Sequence, residues 1–441
     1  MRSLIVTLMV FSSLPLILAR PHIGVLVWSW LGYMNPHRLA WGFAYNFPFS
    51  QVVAGTLIVS LIFSPEKKRL PITPLTVVWM VFLGWICVTT FNAMYPEAAL
   101  EMFDRVVKIQ LVVFITMMVI NTRQRVEQLL WVIVFSLGFF GVKGGAFKIL
   151  TGGSALLFGP GGFISDNNAL AIALLMTLPL MNYLRMVSDN KTVRWVMLVC
   201  MLLVAAAIIS TFSRAAALGG VAVAFLIWAK SDKKLITAFA VLMMLPLLYI
   251  WAPQSWHDRM ATITQVEETG EREVSAQSRI DVWKMIINLS KDRPVLGAGL
   301  DPWFPETYDR YAPEPERIEK AWAAHSIYFS VLAEHGFPGL VLFLLIYMLA
   351  WRTARRIERI CKPIPEADWL VRLSSMLQVS MAGFAVAGAF HQLPYFDLPW
   401  HIIGILVVCE QLAKRYVSSA TESDVSPQPA TGGQLVAAGH G

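Results

Sequence analysis

The sequence predicts an all-α polytopic integral membrane protein with about 12 transmembrane helices and one large loop that carries amphipathic helices. Three observations carry this prediction. Of 441 residues, 56% are hydrophobic and 15% charged, whereas a soluble domain is nearer a quarter charged. Apolar runs of roughly 17–25 residues recur, each long enough to cross about 30 Å of hydrocarbon. Cations gather in short turns between those runs, as the positive-inside rule requires. The strands of a β-barrel would instead alternate with period two. The 16 Trp suit interfacial belts.

In chain order the predicted spans are 3–19, 21–34, 48–64, 72–91, 100–120, 127–142, 167–186, 193–212, 214–229, 235–252, 325–351, 370–390 and 397–413, which is 12 or 13 crossings. The first two are short and meet at Arg20-Pro21, as two half-helices would. Residues 3–19 are followed by no small-residue cleavage site and read as a retained membrane segment. The resulting organisation is an N-terminal bundle (1–252), a large polar loop (253–324), C-terminal helices (325–417) and a disordered tail (418–441) of Ser, Thr, Gly, Pro and Ala.

Charge sets the orientation. Residues 253–324 hold 9 Lys and Arg against 13 Asp and Glu, a net of −4, so the remainder carries +11 of the total +7. That excess marks cytoplasmic turns and not a nucleic-acid surface. The cation-rich turns are Glu66 to Arg69, Arg123 with Arg125, Arg185 to Arg194, Lys230 to Lys234, and Arg352 to Lys362. The turns at 92–99, 143–166 and 212–214, the loop 253–324 and the tail then follow by alternation: the turns and the loop face the periplasm of a bacterium, and the tail the cytoplasm. The four cysteines avoid the large loop, so neither a disulfide framework nor a metal-ligand spacing is indicated.

This alternation gathers separate polar residues on one face. His325 stands where the polar loop gives way to an apolar run. Arg214 lies in the tight turn Ser210-Thr211-Phe212-Ser213-Arg214, where an arginine between apolar helices is costly unless paired or hydrated. Arg279 lies in Ser278-Arg279-Ile280-Asp281-Val282-Trp283. From 276 to 290, Ile280, Trp283, Ile286, Ile287 and Leu289 fall near helical spacing, as in an amphipathic helix that rests on a membrane. A Gly-rich turn at 297–299 follows it. Lys143, Lys148, Asp166, Asn167 and Asn168 share the same side. Each has a plainer reading: a histidine or arginine at a helix mouth can simply anchor it, and lysines snorkel. Glu334, roughly 13 Å along the helix from His325 by rise, is too far to orient that histidine and reads as structural or as pairing with another helix.

The pattern His325-Ser326, nine residues, Gly336, two residues, Gly339 resembles the signature of the O-antigen ligase family, within the superfamily that includes the O-antigen polymerases. Ser-Arg at 214, Ser-Arg-x-x-x-Trp at 278–283 and Gly-Ala-Gly at 297–299 fit it too. The opening Met34-Asn35-Pro36-His37-Arg38-Leu39-x-Trp41-Gly42-Phe43 is similar to a subgroup of O-glycosylation ligases. The resemblance implies a multi-pass glycosyltransferase of the bacterial inner membrane with its active site facing the periplasm. It would move a glycan from undecaprenyl diphosphate to a hydroxyl of lipid A-core oligosaccharide. It implies His325 as general base and Arg214 and Arg279 as diphosphate ligands. Lys143, Lys148, Asn167, Asn168 and Tyr328 are candidate substrate-binding residues.

The chemistry of these residue types agrees. A lipid diphosphate leaves without protonation and needs neutralisation, which arginine forks supply. A sugar hydroxyl must lose a proton as it attacks, and a neutral imidazole can take it near pH 7. One base and one displacement imply inversion at the anomeric carbon. No Asp-x-Asp occurs, so neither a metal nor another cofactor is indicated; membrane lipids are the remaining partners. A polymerase extending the lipid-linked glycan, or a ligase acting on a protein hydroxyl, would use the same donor. A transporter would need ionisable residues near the bilayer centre, and the predicted spans place almost none there.

Overall fold

The computed structural model describes residues 1–151, 157–231, 233–236, 238–239, 242, 274–314 and 322–425. The span predicted at 235–252 and the loop stretch 253–273 lie almost wholly outside the described residues. The described chain is helical, with no strand among the described residues. The principal helices are α1 Arg2–Ala19, α2 Pro21–Met34, α3 Phe49–Phe63, α4 Pro74–Phe91, α5 Pro96–Val119, α6 Arg123–Thr151, α7 Asn167–Val187, α8 Lys191–Ile209 and α9 Arg214–Lys230. They continue with α10 Val274–Asp292, α11 Pro305–Tyr311, α12 Ile327–Cys361, α13 Asp368–Gly388 and α14 Asp397–Val425. Seven helical segments among the described residues are long and apolar enough to cross a membrane, and Phe49–Phe63 is a shorter apolar helix. This is a multi-pass membrane protein.

Local chemistry sets the helix ends. Pro21 starts α2 directly after Arg20, whose extended backbone (φ −142°) separates it from α1, because proline is pre-organised for the first position of a helix. Thr73 and Thr76 form a reciprocal capping box at α4, satisfying two amides that the helix cannot. Asp166, Asn190, Ser213 and Ser326 cap α7, α8, α9 and α12 through side-chain oxygens.

The core is built around α13, which packs against α7, α9 and α12, and around α12, which also packs against α4 and α14. α7 is buried along nearly its whole length. By contrast, α1 and α8 leave residues such as Leu8, Trp195 and Leu202 more than half exposed, the surface that lipid covers in a membrane protein. A second, smaller apolar cluster joins α10 and α11 to the start of α12 through Val282, Met285, Ile286, Leu289, Tyr308, Leu332 and Ala333.

Three expectations are corrected. The helix predicted to end at 142 runs to Thr151. Gly144 and Gly145 are not loop residues: a Cβ at Gly145 would collide with the Leu203 carbonyl, so Gly145 lets α6 and α8 approach closely, and a Cβ at Gly144 would press on Leu157. The buried face of α10 is Val282, Met285, Ile286 and Leu289, at helical spacing, and Ile287 is exposed; this face meets protein and not a membrane surface. The composition-based tail boundary at 418 falls within α14, which continues to Val425 because the segment 418–425 contains no Gly or Pro to stop it. Residues 426–441 lie outside the described residues.

Contacts tie the turns into two ends. At one, Glu66 pairs with Arg125, Lys230 with Glu358, and Arg123 lies over Trp369. At the other, the Met94 amide bonds the Ala298 carbonyl, Asn167 bonds Thr211, and Asp166 meets His391.

Candidate active site

The second of these ends holds His325. Its backbone is left-handed (φ 49°), a conformation that costs a residue with a Cβ roughly 1–2 kcal/mol. The surroundings fix it there. Ser326 immediately afterwards accepts the Phe329 amide at 3.5 Å and starts α12. On the other side, the Trp283 indole donates to the Ala324 carbonyl at 2.9 Å. The same indole stacks on Phe329 at 5.0 Å between centroids, 11° from parallel. Thus α10 grips the chain both before and after the histidine.

The His325 ring faces His391 at 6.5 Å and Trp322 at 6.3 Å between centroids. Burial, and then the charges of Arg279 and His391, push its pKa down to about 4, with Asp166 opposing. The imidazole is therefore neutral near pH 7 and free to accept a proton. His391 Nε2 lies 3.5 Å from Asp166 Oδ2. Burial pushes the Asp166 carboxyl up, but His391 and the amides of Asn168 and Ala169 outweigh that and hold it below the usual carboxylate range. Oδ1 accepts those amides at 2.8 and 3.0 Å. Asp166 thus caps α7 with one oxygen and holds His391 with the other.

Arg214 is the first residue of α9, after Ser213, whose hydroxyl accepts the Ala216 amide at 3.2 Å. Phe212 before it is also left-handed (φ 56°). The amide of the Asn167 side chain donates to the Thr211 carbonyl at 2.8 Å, which joins the arginine turn to the segment bearing Asp166. Lys148 is buried and its ammonium stands 5.8 Å from the centre of the Phe212 ring. So Arg214, Arg279, Lys148, Asn167 and His325 belong to one linked set. Asn168 is held by Asn167 at 3.5 Å. The Tyr328 hydroxyl donates to the Ala385 carbonyl at 2.9 Å. Lys143 does not join them. It is exposed, five residues before Lys148 and so about 140° around the helix. Ser210 Oγ, Ser330 Oγ and Gln392 Oε1 are buried without a hydrogen-bond partner, and all three lie on the segments that frame the site.

The glycines of the sequence pattern have a backbone explanation. Gly336 (φ 64°) breaks α12. The turn 294–299 docks in the break: Ala298 N bonds Ala333 O at 2.7 Å, Gly299 N bonds Glu334 O at 3.0 Å, and Phe337 N bonds Pro294 O at 2.9 Å. Gly297 and Gly299 have φ of 64° and 83°, and a Cβ on Gly297 would come within 2.7 Å of the Ala333 carbonyl. Gly339 leaves room for the His335 side chain.

That break also carries a polar network, of which the sequence singled out Glu334 but not its partners. Tyr395 OH donates to Glu334 Oε2 at 2.5 Å and meets His335 Nε2 at 2.6 Å. His335 Nδ1 meets the Thr89 hydroxyl at 2.7 Å. Glu334 and His335 are fully buried two to three turns inside the apolar helix, and each is hydrogen-bonded. They sit at an opened backbone between packed helices, where polar groups are tolerated. Glu334 is structural here: its Oε1 accepts the Asp301 amide at 3.4 Å.

Two family models match the chain. Residues 1–189 match a family of unknown function. Residues 196–344 match the O-antigen ligase family; Arg214, Arg279, His325, Gly336 and Gly339 all fall inside that stretch. Asp166 and Lys148 fall inside the first match, and His391 lies beyond both. No curated protein matches the chain.

Proposed function

Through residues 196–344 the chain belongs to the O-antigen ligase family, and from that premise we propose that it transfers a glycan from undecaprenyl diphosphate to a hydroxyl of lipid A-core oligosaccharide at the periplasmic face of the inner membrane. The observation that carries the reading is the neutral imidazole of His325, set between the charge of Arg279 and the Asp166–His391 pair.

In this reading Arg214 and Arg279 hold the diphosphate through charge-assisted bonds. The acceptor hydroxyl lies against His325. As its oxygen bonds to the anomeric carbon, its proton passes to the imidazole. The bond from that carbon to the phosphate oxygen breaks, and undecaprenyl diphosphate leaves as an anion. A single displacement inverts the anomeric centre. His325 as it stands is a weak base for this task, since general bases work best near the operating pH. The donor corrects part of this, since burial remains the larger cause of the low pKa. Its phosphates offset the Arg279 charge that helps lower the imidazole, so the base gains proton affinity once the lipid donor is in place. Asp166 holds His391 on the other flank, where that ring orients the attacking hydroxyl.

The test is a reconstitution with purified full-length protein, undecaprenyl diphosphate-linked glycan and lipid A-core, in chelator and without nucleotide. Transfer with inverted anomeric configuration is expected. Elongation of the lipid-linked glycan in place of transfer would assign a polymerase. Transfer only to a protein hydroxyl would assign an O-glycosylation ligase. Loss of transfer in chelator, restored by Mg²⁺, would overturn the arginine assignment.

A further inference from the structure

At the opposite end of the bundle from His325, a cavity of about 650 Å³ opens between the segment 67–72, the C-terminal end of α5 and residues 408–415 of α14. Among the described residues four cations line it, Lys67, Arg69, Lys414 and Arg415, and no carboxylate does. Its remaining walls are largely apolar, including Met118 and Leu412. A positively charged rim on an apolar wall is unusual, because isolated cations avoid hydrocarbon and cations in water need no apolar neighbour.

The frame is held open by bonds that commit the nearby acids elsewhere. Glu66 takes two bonds from Arg125, at 2.8 and 3.0 Å, and this pair holds its carboxyl below the usual range. Glu410 is shared by Lys414 at 3.2 Å and Arg356 at 3.5 Å. Arg415 donates to the Asn121 carbonyl at 3.2 Å, which fixes the α14 wall to the end of α5. Lys67 and Arg69 are exposed and form no ion pair with a described residue. The cavity therefore keeps a positive charge at Lys67 and Arg69 that no described carboxylate neutralises. On the outer side, Ile62, Phe63 and Ile72 are about two-thirds or more exposed, an apolar surface that leads from the rim along the helices.

We propose that this cavity binds the phosphate headgroup of an anionic phospholipid of the surrounding bilayer. The phosphate meets the guanidiniums and ammoniums, and the acyl chains lie along Phe63 and Ile72. Basic pockets between membrane helices hold anionic headgroups in this manner, and the cavity is of ligand size. A soluble anion would satisfy the cations alone. The apolar half of the site favours a phosphate carried by a lipid. The proposal is independent of the glycan-transfer reading, since no residue of that site takes part.

The full-length protein, purified in a mild detergent, would be titrated with phosphatidylglycerol or with phosphatidylcholine, and retained lipid counted by native mass spectrometry. Retention of phosphatidylglycerol at least tenfold tighter is expected. In Lys67→Gln/Arg69→Gln that preference should vanish, while Arg359→Gln/Lys362→Gln, at the same end but outside the cavity, should keep it. Thermal unfolding in lipid-free detergent checks folding; should the double variant not fold, Arg69→Gln alone is read against wild type and must lose most of the preference. Equal retention of the two lipids, or an unchanged preference in the cavity variants, would overturn the proposal. So would inorganic phosphate that displaces phosphatidylglycerol at equal concentration, which would mark a site for soluble anions.

Discussion

His391 and His325 have their ring centroids 6.5 Å apart, and His391 Nε2 lies 3.5 Å from Asp166 Oδ2. One imidazole is therefore anchored by a carboxylate while the other is held by its own backbone.

Asp166 does two jobs, and substitutions separate them. Asp166→Asn keeps an N-cap of similar quality but loses the charge beside His391. Its unfolding midpoint should stay near wild type while kcat falls roughly tenfold and KM holds, a smaller loss than the roughly 10²–10⁴ of direct proton transfer. Asp166→Ala should lose the cap as well, about 0.5–2 kcal/mol. Equal kcat in wild type and the Asn variant, measured with purified components, would leave Asp166 as a cap only.

His325→Ala should reduce transfer by about 10²–10⁴ while the lipid donor still binds, and His325→Gln should be nearly as inactive. The pH profile adds a sign. The folded pKa is lowered to about 4, by burial first and then by Arg279 and His391. The proton-accepting form thus persists on acidification well below the ordinary histidine range. Donor binding at saturation should move the acid limb of kcat above that of kcat/KM, because the diphosphate offsets Arg279. Arg279→Gln, in whatever activity remains, should bring the two limbs together. By linkage, the unfolded state gains the proton first as pH falls from about 6.5 to 4, so stability declines across that window. A Gln variant with near-normal turnover would reassign His325 to positioning the acceptor.

Arg214→Ala and Arg279→Ala should each abolish transfer with the protein still folded, and Arg→Lys should recover only part of it, because an ammonium cannot make the two-pronged bond. Binding of a radiolabelled lipid-diphosphate glycan is the direct measurement. Full activity in Arg279→Ala would remove that residue from the site.

Gly336→Ala should destabilise the protein by about 1–3 kcal/mol from backbone strain alone, with more from the collision at Val295. Gly299→Ala should act alike, since an added Cβ would overlap Ala93. Faster limited proteolysis within 294–314 would report the turn leaving its groove; an unchanged cleavage rate in both variants would show that the turn is held elsewhere.

The helices were legible because hydrocarbon thickness demands long apolar runs, and the predicted spans from 3–19 to 214–229 coincide closely with α1 to α9. The exceptions are physical. Gly144 and Gly145 mimic a loop in composition, yet both lie within α6, where Gly145 serves helix–helix approach. The face of α10 could not be chosen from spacing alone, because Ile280, Trp283 and Ile287 flank Val282, Met285 and Ile286 closely enough to compete. His325, Arg214 and Arg279 stood out through their settings at apolar boundaries. His391 could be placed only near the last periplasmic turn with its role open, because its partner Asp166 is remote in sequence and neither residue sits in a recognisable pattern. Alternation had put Asp166 on the right side; pairing it with the turn after α13 required the fold.

The docking of residues 294–299 into the break at Gly336 has a consequence for synthesis. The ribosome delivers this turn before residues 333–337 exist, so Ala298 and Gly299 emerge ahead of the carbonyls that receive them. At about 5–20 residues per second the wait is on the order of seconds. Through that interval Val282, Met285 and Leu289 have no Leu332 or Ala333 to cover them. His325 sits between the two halves of this late closure, so its left-handed backbone is set only when both have arrived.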